Sequence, residues 1–277
     1  MNNRSIFLLT ALVFGFAFLY IPILSMIVYS FNESLLVTVW GGFSVKRYGE
    51  LLGNRQMLQA AWLSLRIATV TATGAVIIGT LAWLVLARFC MFRGRTLFAG
   101  MVTAPLVMPE VITGLSLLLL FVALAPLPFF PDARGFSTIT IAHITLTMSY
   151  VTVVVQSRLS SMDDSLEEAA MDLGARPMKV FLTITLPIIA PAMVSGWLLA
   201  FTLSLDDLVI ASFTSGPSTT TLPMMIFSTV RRGITPEINA LATIMVASVT
   251  VFVVAAGVMM SRQERRRQAD MRLAASK

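Results

Sequence analysis

The chain has 277 residues, of which 57% are hydrophobic and only 12% charged, and its mean hydropathy is +0.84. Because soluble domains carry about 25% charged residues, this composition excludes an ordinary soluble protein and indicates an integral membrane protein. The net charge of +6 lies mostly in loops and the C-terminal tail, so it requires no nucleic-acid partner.

Six apolar runs are long enough to cross a bilayer, which needs about 20 residues per helix. Lipid cannot satisfy the backbone groups of open strands, so we expect an all-α bundle. The sequence therefore predicts one transmembrane domain over residues 1–277. The predicted spans are residues 6–31, 61–87, 97–125, 138–156, 188–213 and 238–260.

The loops predict the orientation, because cytoplasmic loops are enriched in lysine and arginine. With both termini in the cytoplasm, most of the 20 basic residues fall on that side. These are Arg4, Arg88, Arg93, Arg95, Arg158, Arg176, Lys179, Arg262, Arg265, Arg266, Arg267, Arg272 and Lys277. The outer side keeps Lys46, Arg47, Arg55, Arg134, Arg231 and Arg232. The basic tail, residues 261–277, is expected to anchor the chain at anionic lipid.

Acids within the apolar runs stand out, because charge in lipid is costly and usually faces a bundle interior or a water-filled path. In the third span Pro109 precedes Glu110 and should bend the helix. In the fifth span Asp206 and Asp207 are adjacent, and their side chains diverge by about 100° on a helix. A cationic substrate could contact any of these three acids. Alternatively, one acid pairs with Arg66 in the second span or caps a broken helix.

His143, in the fourth span, is the only histidine. A single histidine with no evident partner is weak support for proton relay. We expect it to be a hydrogen-bonded packing residue.

A polar loop, residues 158–187, separates the fourth and fifth spans and is predicted to be cytoplasmic. Leu166, Ala169, Ala170 and Leu173 recur at helical spacing, so they predict a short helix with one apolar face. Gly174 can end this helix, and Pro177 can begin a second one at the membrane surface. The small alanines would let another protein approach closely. Three acids around that face offer acceptors to a basic partner: Glu167, Glu168 and Asp172.

The loop also carries a spaced motif: Glu168-Ala169-Ala170, then Gly174, then Ile184-Thr185-Leu186-Pro187. This spacing resembles the cytoplasmic signature of permease subunits from bacterial ABC importers. Residues 29–32, 104–114, 201–207 and 236–243 are similar to the polyamine branch of that family, especially the second permease chain of putrescine importers.

The resemblance implies a type I ABC importer permease fold of six transmembrane helices, with a coupling helix between the fourth and fifth that docks into an ATPase subunit. The docking residues would be Glu167, Glu168, Ala169, Ala170, Asp172, Leu173 and Gly174. It further implies a heterodimer with a second permease chain, two ATPase subunits, and a periplasmic polyamine-binding protein, all at the bacterial inner membrane. No phosphate-binding Gly-x-x-x-x-Gly-Lys motif occurs, so we expect no enzyme and no cofactor in this chain, with ATP and Mg²⁺ bound by the partner.

Two other functions fit the sequence less well. Within the same class, the substrate could be spermidine or another small solute, although intramembrane acids disfavour an anion. A secondary transporter coupling a cation to protons should have broken helices at matching places in both halves. The sequence indicates a break only at Pro109.

Overall fold

The computed structural model describes residues 3–34, 39–89, 92–128, 130–131, 133–159, 165–232 and 236–275. Within these ranges the chain is helical, with a single isolated β-bridge between Asn32 and Phe43. The helices are α1 (Asn3–Tyr29), α2 (Lys46–Gly53), α3 (Arg55–Arg88), α4 (Arg95–Val107), α5 (Glu110–Leu124), α6 (Phe136–Leu159), α7 (Ser165–Asp172), α8 (Pro177–Val180), α9 (Leu186–Asp206), α10 (Val209–Thr214), α11 (Leu222–Arg232) and α12 (Pro236–Ala275), with a π-helical segment (Phe181–Thr185) between α8 and α9.

Five of the described helical stretches are long and apolar enough to cross a membrane, and a sixth crossing results if α4 and α5 count as one broken span. The five are Phe7–Tyr29, Arg55–Arg88, Phe136–Ser157, Pro177–Asp206 and Glu237–Ala255. The predicted all-α membrane fold is confirmed.

The predicted third span, residues 97–125, is not one continuous helix. α4 ends at Val107, α5 begins at Glu110, and the two are bent by 118°. Met108 is extended, with ψ of 135°, because the ring of Pro109 disfavours helical backbone in the residue before it. The bend and the helix break that the sequence indicated at Pro109 are therefore both present, and the span consists of two helices.

The predicted fifth span, residues 188–213, is shifted towards the N-terminus. The helical stretch runs from Pro177 to Asp206, and Asp207 then leaves the helix with ψ of 126° before α10 begins. The second helix expected at the membrane surface is thus the start of this span, because α8 continues through the π segment into α9.

The described chain divides into two compact units, and the single domain over 1–277 remains a prediction. The larger unit, Gln59–Met225, has a core built on α3, α6 and α9. Small residues allow the close approach: a methyl group on Gly79 would lie 2.8 Å from the carbonyl oxygen of Met148, and one on Gly196 would lie 3.2 Å from Val151. Small residues at helix contacts are typical of membrane bundles, where dispersion and backbone proximity replace the hydrophobic effect.

The smaller unit, Met1–Leu58 with Ile226–Lys277, contains α1, α2 and α12. α1 and α2 both pack against α12, and Asn54 donates a hydrogen bond to Glu237 at 3.2 Å. After α1, the side chain of the buried Asn32 accepts a hydrogen bond from the backbone N–H of Gly41 at 2.8 Å, which holds Gly41 close to the end of that helix. The apolar window of α1 buries none of its residues, as expected for a helix facing lipid or another chain.

Candidate functional site

The motif-bearing helix α7 leaves its apolar face uncovered. Leu166 is 50% exposed and Leu173 is 90% exposed, while Ala169 is exposed and Ala170 is half-buried. We call these four residues the α7 face. Glu168 and Asp172 are also exposed beside it. The α7 face with its two flanking acids is therefore available to a second protein.

Gly174 ends α7 in a left-handed conformation, with φ of +84°. The backbone N–H of Gly174 donates to the carbonyl of Met171 at 2.8 Å, and that of Ala175 donates to the carbonyl of Ala170 at 3.1 Å. These paired bonds form a Schellman cap, which satisfies the last carbonyls of the helix. In this left-handed conformation a residue with a Cβ would cost about 1–2 kcal/mol of conformational free energy. Glycine at this position therefore permits the sharp turn after α7.

Glu167 departs from the sequence prediction. It was expected to offer an acceptor at the surface, but it is buried, at 5% exposure. Its carboxylate forms an ion pair with Arg88 at the end of α3 and accepts a hydrogen bond from Thr185 Oγ1 at 2.5 Å. Glu167 faces the bundle because these intrachain partners satisfy its charge, and so it does not lie beside the exposed α7 face with Glu168 and Asp172.

The two adjacent aspartates differ in surroundings. Asp206 is the last residue of α9 and is exposed, whereas Asp207 is 9% exposed. The Asp207 carboxylate accepts from the backbone N–H groups of Ala211 at 2.8 Å and Ile210 at 3.4 Å, so it caps the start of α10. The sequence alternative that one acid caps a broken helix is confirmed for Asp207.

His143 supports this cap from α6. Its Nδ1 lies 2.7 Å from Ser204 Oγ, in hydrogen-bond contact, and its Nε2 lies 3.2 Å from Asp207 Oδ2. The second contact has ion-pair distance but not hydrogen-bond geometry. All three side chains are buried. The predicted hydrogen-bonded packing role of His143 is confirmed, although the histidine has the partners that the sequence did not reveal.

We expect Asp207→Ala to destabilise the protein in detergent. The substitution removes the acceptor for two backbone N–H groups and leaves His143 facing a void, which should cost about 2 kcal/mol. The measurement is the midpoint temperature of thermal unfolding, monitored by size-exclusion chromatography. Asp206→Ala is the matched control, because the exposed Asp206 caps no helix. Equal midpoints for the two variants would contradict the assignment of Asp207 as the structural acid.

Glu110 occupies the first turn of α5, directly after the break at Pro109, and is exposed. A carboxylate at this position is stabilised by the positive end of the helix dipole. One turn later, Gly114 allows α10 to pack closely, since a methyl group there would lie 2.7 Å from the ring of Phe213. The start of α5 and the α9–α10 break are thus connected through α10.

Arg66, the other intramembrane charge, lies over the ring of Phe136 at 5.2 Å from its centroid. Among the described residues it forms no ion pair with Glu110, Asp206 or Asp207. The sequence alternative that Arg66 neutralises one of these acids therefore has no support in the structure.

Sequence reasoning missed two clusters. One joins the buried Glu167 and Thr185 to the exposed Arg88, and the other is the buried group of His143, Ser204 and Asp207. The spacing of Ser204 and Asp207, three residues apart, was a usable signal because such residues share a helix face. No local pattern connects Arg88 to Glu167.

Comparison with known proteins identifies similar chains. Residues 79–269 match the family described as "Binding-protein-dependent transport system inner membrane component". The chain is 58% identical to the putrescine transport system permease protein PotI of Escherichia coli (strain K12) over 278 residues, covering 99% of both. It is 42% identical to the spermidine/putrescine transport system permease protein PotC of the same strain over 240 residues, covering 87% of this chain and 88% of that one.

Solved structures with a similar fold are more distant in sequence. A bacterial ABC transporter involved in the import of the acidic polysaccharide alginate matches with a TM-score of 0.69 at 16% identity, covering 94% of this chain and 95% of that one. A bacterial alginate ABC transporter in complex with an alginate pentasaccharide-bound periplasmic protein matches with a TM-score of 0.70 at 17% identity, covering 94% of each. At these identities the likeness establishes the fold.

Proposed function

This chain belongs to the family of binding-protein-dependent transport system inner membrane components, and on that premise we propose that it is a permease subunit of an ATP-driven importer that moves polyamines, chiefly putrescine, from periplasm to cytoplasm. It is a multi-pass inner-membrane protein and a transport component, not an enzyme. The observation that carries the substrate assignment is the 58% identity to a putrescine permease along 99% of the chain.

The proposed partners follow from the exposed surfaces. The α7 face, with Glu168 and Asp172 beside it, would dock one of two ATPase subunits, which bind ATP and Mg²⁺. The lipid-length helix α1, which buries none of its apolar window, would face lipid and a second permease chain. A periplasmic polyamine-binding protein would deliver the substrate, since a solved relative in fold forms a complex with a ligand-bound periplasmic protein.

We place both termini and α7 in the cytoplasm. The support is the predominance of Lys and Arg on the side that includes the C-terminal part of α12 and the loop around α7. This orientation puts the α7 face where ATP is available. It also puts the α9–α10 break, at the far end of the same span, nearer the periplasm.

In an alternating-access cycle, the α7 face would act at the cytoplasmic end of the span and the α9–α10 break at the periplasmic end. ATP binding closes the ATPase subunits and moves the α7 helices of the paired permeases, which opens the cavity to the periplasm. The binding protein then releases the amine, and hydrolysis returns the cavity to the cytoplasm. A ligand shifts such an equilibrium only by binding one state better than the other, so the cavity must present acceptors to the two ammonium groups in one state.

Asp206 is the best placed of the three intramembrane acids to be such an acceptor. Asp207 is occupied in capping α10, and Glu110 lies at a helix N-terminus, where the dipole already stabilises its charge. Asp206 instead stands at the C-terminal end of α9, where unpaired carbonyls add negative potential. An exposed carboxylate beside such carbonyls suits a primary ammonium group, which carries three donors.

Spermidine remains the second candidate substrate, because the chain is also 42% identical to a spermidine/putrescine permease. A secondary transporter is disfavoured by the family. The structure does contain a second helix break, at Asp207, which the sequence did not indicate. That break alone does not outweigh the family match over residues 79–269.

The test is uptake in cells that lack this chain. We expect loss of labelled putrescine accumulation, restored by a plasmid-borne copy, with a smaller change in labelled spermidine accumulation. The strain complemented with an empty vector is the control. Unchanged putrescine uptake in the deleted strain, when no other putrescine importer is present, would refute the proposal. A selective loss of spermidine uptake would instead indicate that spermidine is the substrate.

A further inference from the structure

Glu167 is the one acid of α7 that the docking surface does not use. Its side chain points away from the α7 face and is buried, while Glu168, the next residue, is exposed. A buried carboxylate is costly unless it is paired and hydrogen-bonded. Glu167 meets both conditions through Arg88 and Thr185.

The two partners belong to two different spans. Arg88 is the last residue of α3, and Thr185 is the last residue of the π segment that leads into α9. α7 itself packs against α8 and the π segment. Glu167 is thus the point where α7 is joined by charge and hydrogen bond to the ends of both spans.

The π segment is an irregular helical turn at this junction. A π turn inserts an extra residue into a helix, and such turns are frequent at functional sites. Above Thr185 the helix continues through α9 to Asp206, a distance of about 30 Å at 1.5 Å per residue. A displacement of Glu167 therefore acts on the lower end of the same helix whose upper end carries the α9–α10 break.

α3 and α9 also share the core of this unit. Ala72, Ala75, Val76 and Trp83 of α3 pack with Ile189 and Ala200 of α9. Because close-packed interiors have low compressibility and transmit strain, a displacement of Arg88 and Thr185 would act on both helices. The ion pair to Arg88 and the hydrogen bond from Thr185 therefore both act on the packed pair of α3 and α9.

We propose that Glu167 is a positioning residue that transfers the movement of α7 to the bundle through Arg88 and Thr185, and that it couples ATP hydrolysis to transport without contacting the ATPase. This rests on the proposed function. It assigns to Glu167 a role different from that of Glu168 and the α7 face, which would bind the ATPase.

The experiment uses the full complex in proteoliposomes: this chain with its second permease chain and ATPase subunits, supplied with the periplasmic binding protein and labelled putrescine. The variants are Glu167→Gln, Arg88→Gln, the milder Thr185→Val, and the charge exchange Glu167→Arg with Arg88→Glu. Lys179→Gln, an exposed residue of α8, is the control. Three quantities are measured: ATPase subunits retained on purification, ATP hydrolysed, and putrescine imported per ATP.

We expect the single variants to retain the ATPase subunits and to hydrolyse ATP, while putrescine imported per ATP falls about tenfold, within the range reported for mutations between coupled sites. The charge exchange should recover part of that loss, and Lys179→Gln should match the wild type. Glu168→Gln should instead weaken retention of the ATPase subunits. A purely structural role for Glu167 would reduce retention and import in parallel.

The proposal is overturned if all single variants, including Thr185→Val, keep the wild-type ratio of import to hydrolysis, or if each loses import only in proportion to lost ATPase subunits. Failure of the proposed function has a different signature. In that case the wild-type complex itself would import no putrescine, although its ATPase subunits remain bound.

Discussion

The Leu173→Glu variant should lose the ATPase subunits and, with them, putrescine uptake. Leu173 is 90% exposed at the end of α7, so it contributes little to the stability of the isolated chain. Burying a leucine against a partner contributes about 2 kcal/mol, which corresponds to about 30-fold in affinity. A glutamate at this position loses that contribution and places a charge in the contact. The measurements are copurification of the ATPase subunits and labelled putrescine uptake.

Val45→Glu is the matched control. Val45 is 60% exposed and is followed by α2, on the predicted outer side of the membrane. The same change of charge and polarity there should leave ATPase binding intact. Normal copurification and uptake of Leu173→Glu, with the variant present in the membrane at wild-type level, would show that the α7 face is not the docking surface.

Asp206→Asn should slow putrescine uptake about tenfold at low substrate concentration. A hydrogen bond to a charged group contributes about 1.5–3 kcal/mol, and the lower end applies to an exposed carboxylate that water can solvate. Because Asp206 caps no helix and pairs with no described cation, the variant should remain folded and assembled. The measurement is initial-rate uptake across a range of putrescine concentrations.

Asp206→Glu and Glu110→Gln serve as comparisons. The first keeps the charge and should retain more uptake than Asp206→Asn, while the second should be milder because the dipole of α5 already stabilises Glu110. A wild-type rate for Asp206→Asn would remove Asp206 from the substrate path. A larger loss in Glu110→Gln than in Asp206→Asn would move the ammonium contact to the start of α5.

Sequence reasoning was most successful where the controlling physics is local. Hydropathy over about 20 residues locates membrane spans because each residue contributes its own transfer free energy. The spacing from Glu168 to Gly174 likewise predicts a helix and its end, and the left-handed Gly174 with its Schellman bonds matches that expectation. Pro109 was identified as a distortion of the third span, because its ring acts on its immediate neighbour.

Errors arose where the outcome depended on remote parts of the chain. The run 201–213 contains no proline or glycine, so nothing indicated that the helix would end at Asp206. It ends there because Asp207 caps α10 and contacts His143, a residue on another helix. Glu167 was assigned to the docking surface because helical spacing gives the relative directions of side chains but not which direction faces the bundle.

The sequence alone determined the class of protein, the approximate positions of the membrane spans apart from the shifted fifth one, and the motif that resembles the family signature. Only the tertiary structure distinguished Asp206 from Asp207 and Glu167 from Glu168. Each pair has the same or similar chemistry at adjacent positions, and burial alone separates its members. Burial depends on which distant side chain lies opposite, such as Ser204 against His143, 61 residues apart in sequence, and that depends on how whole helices pack.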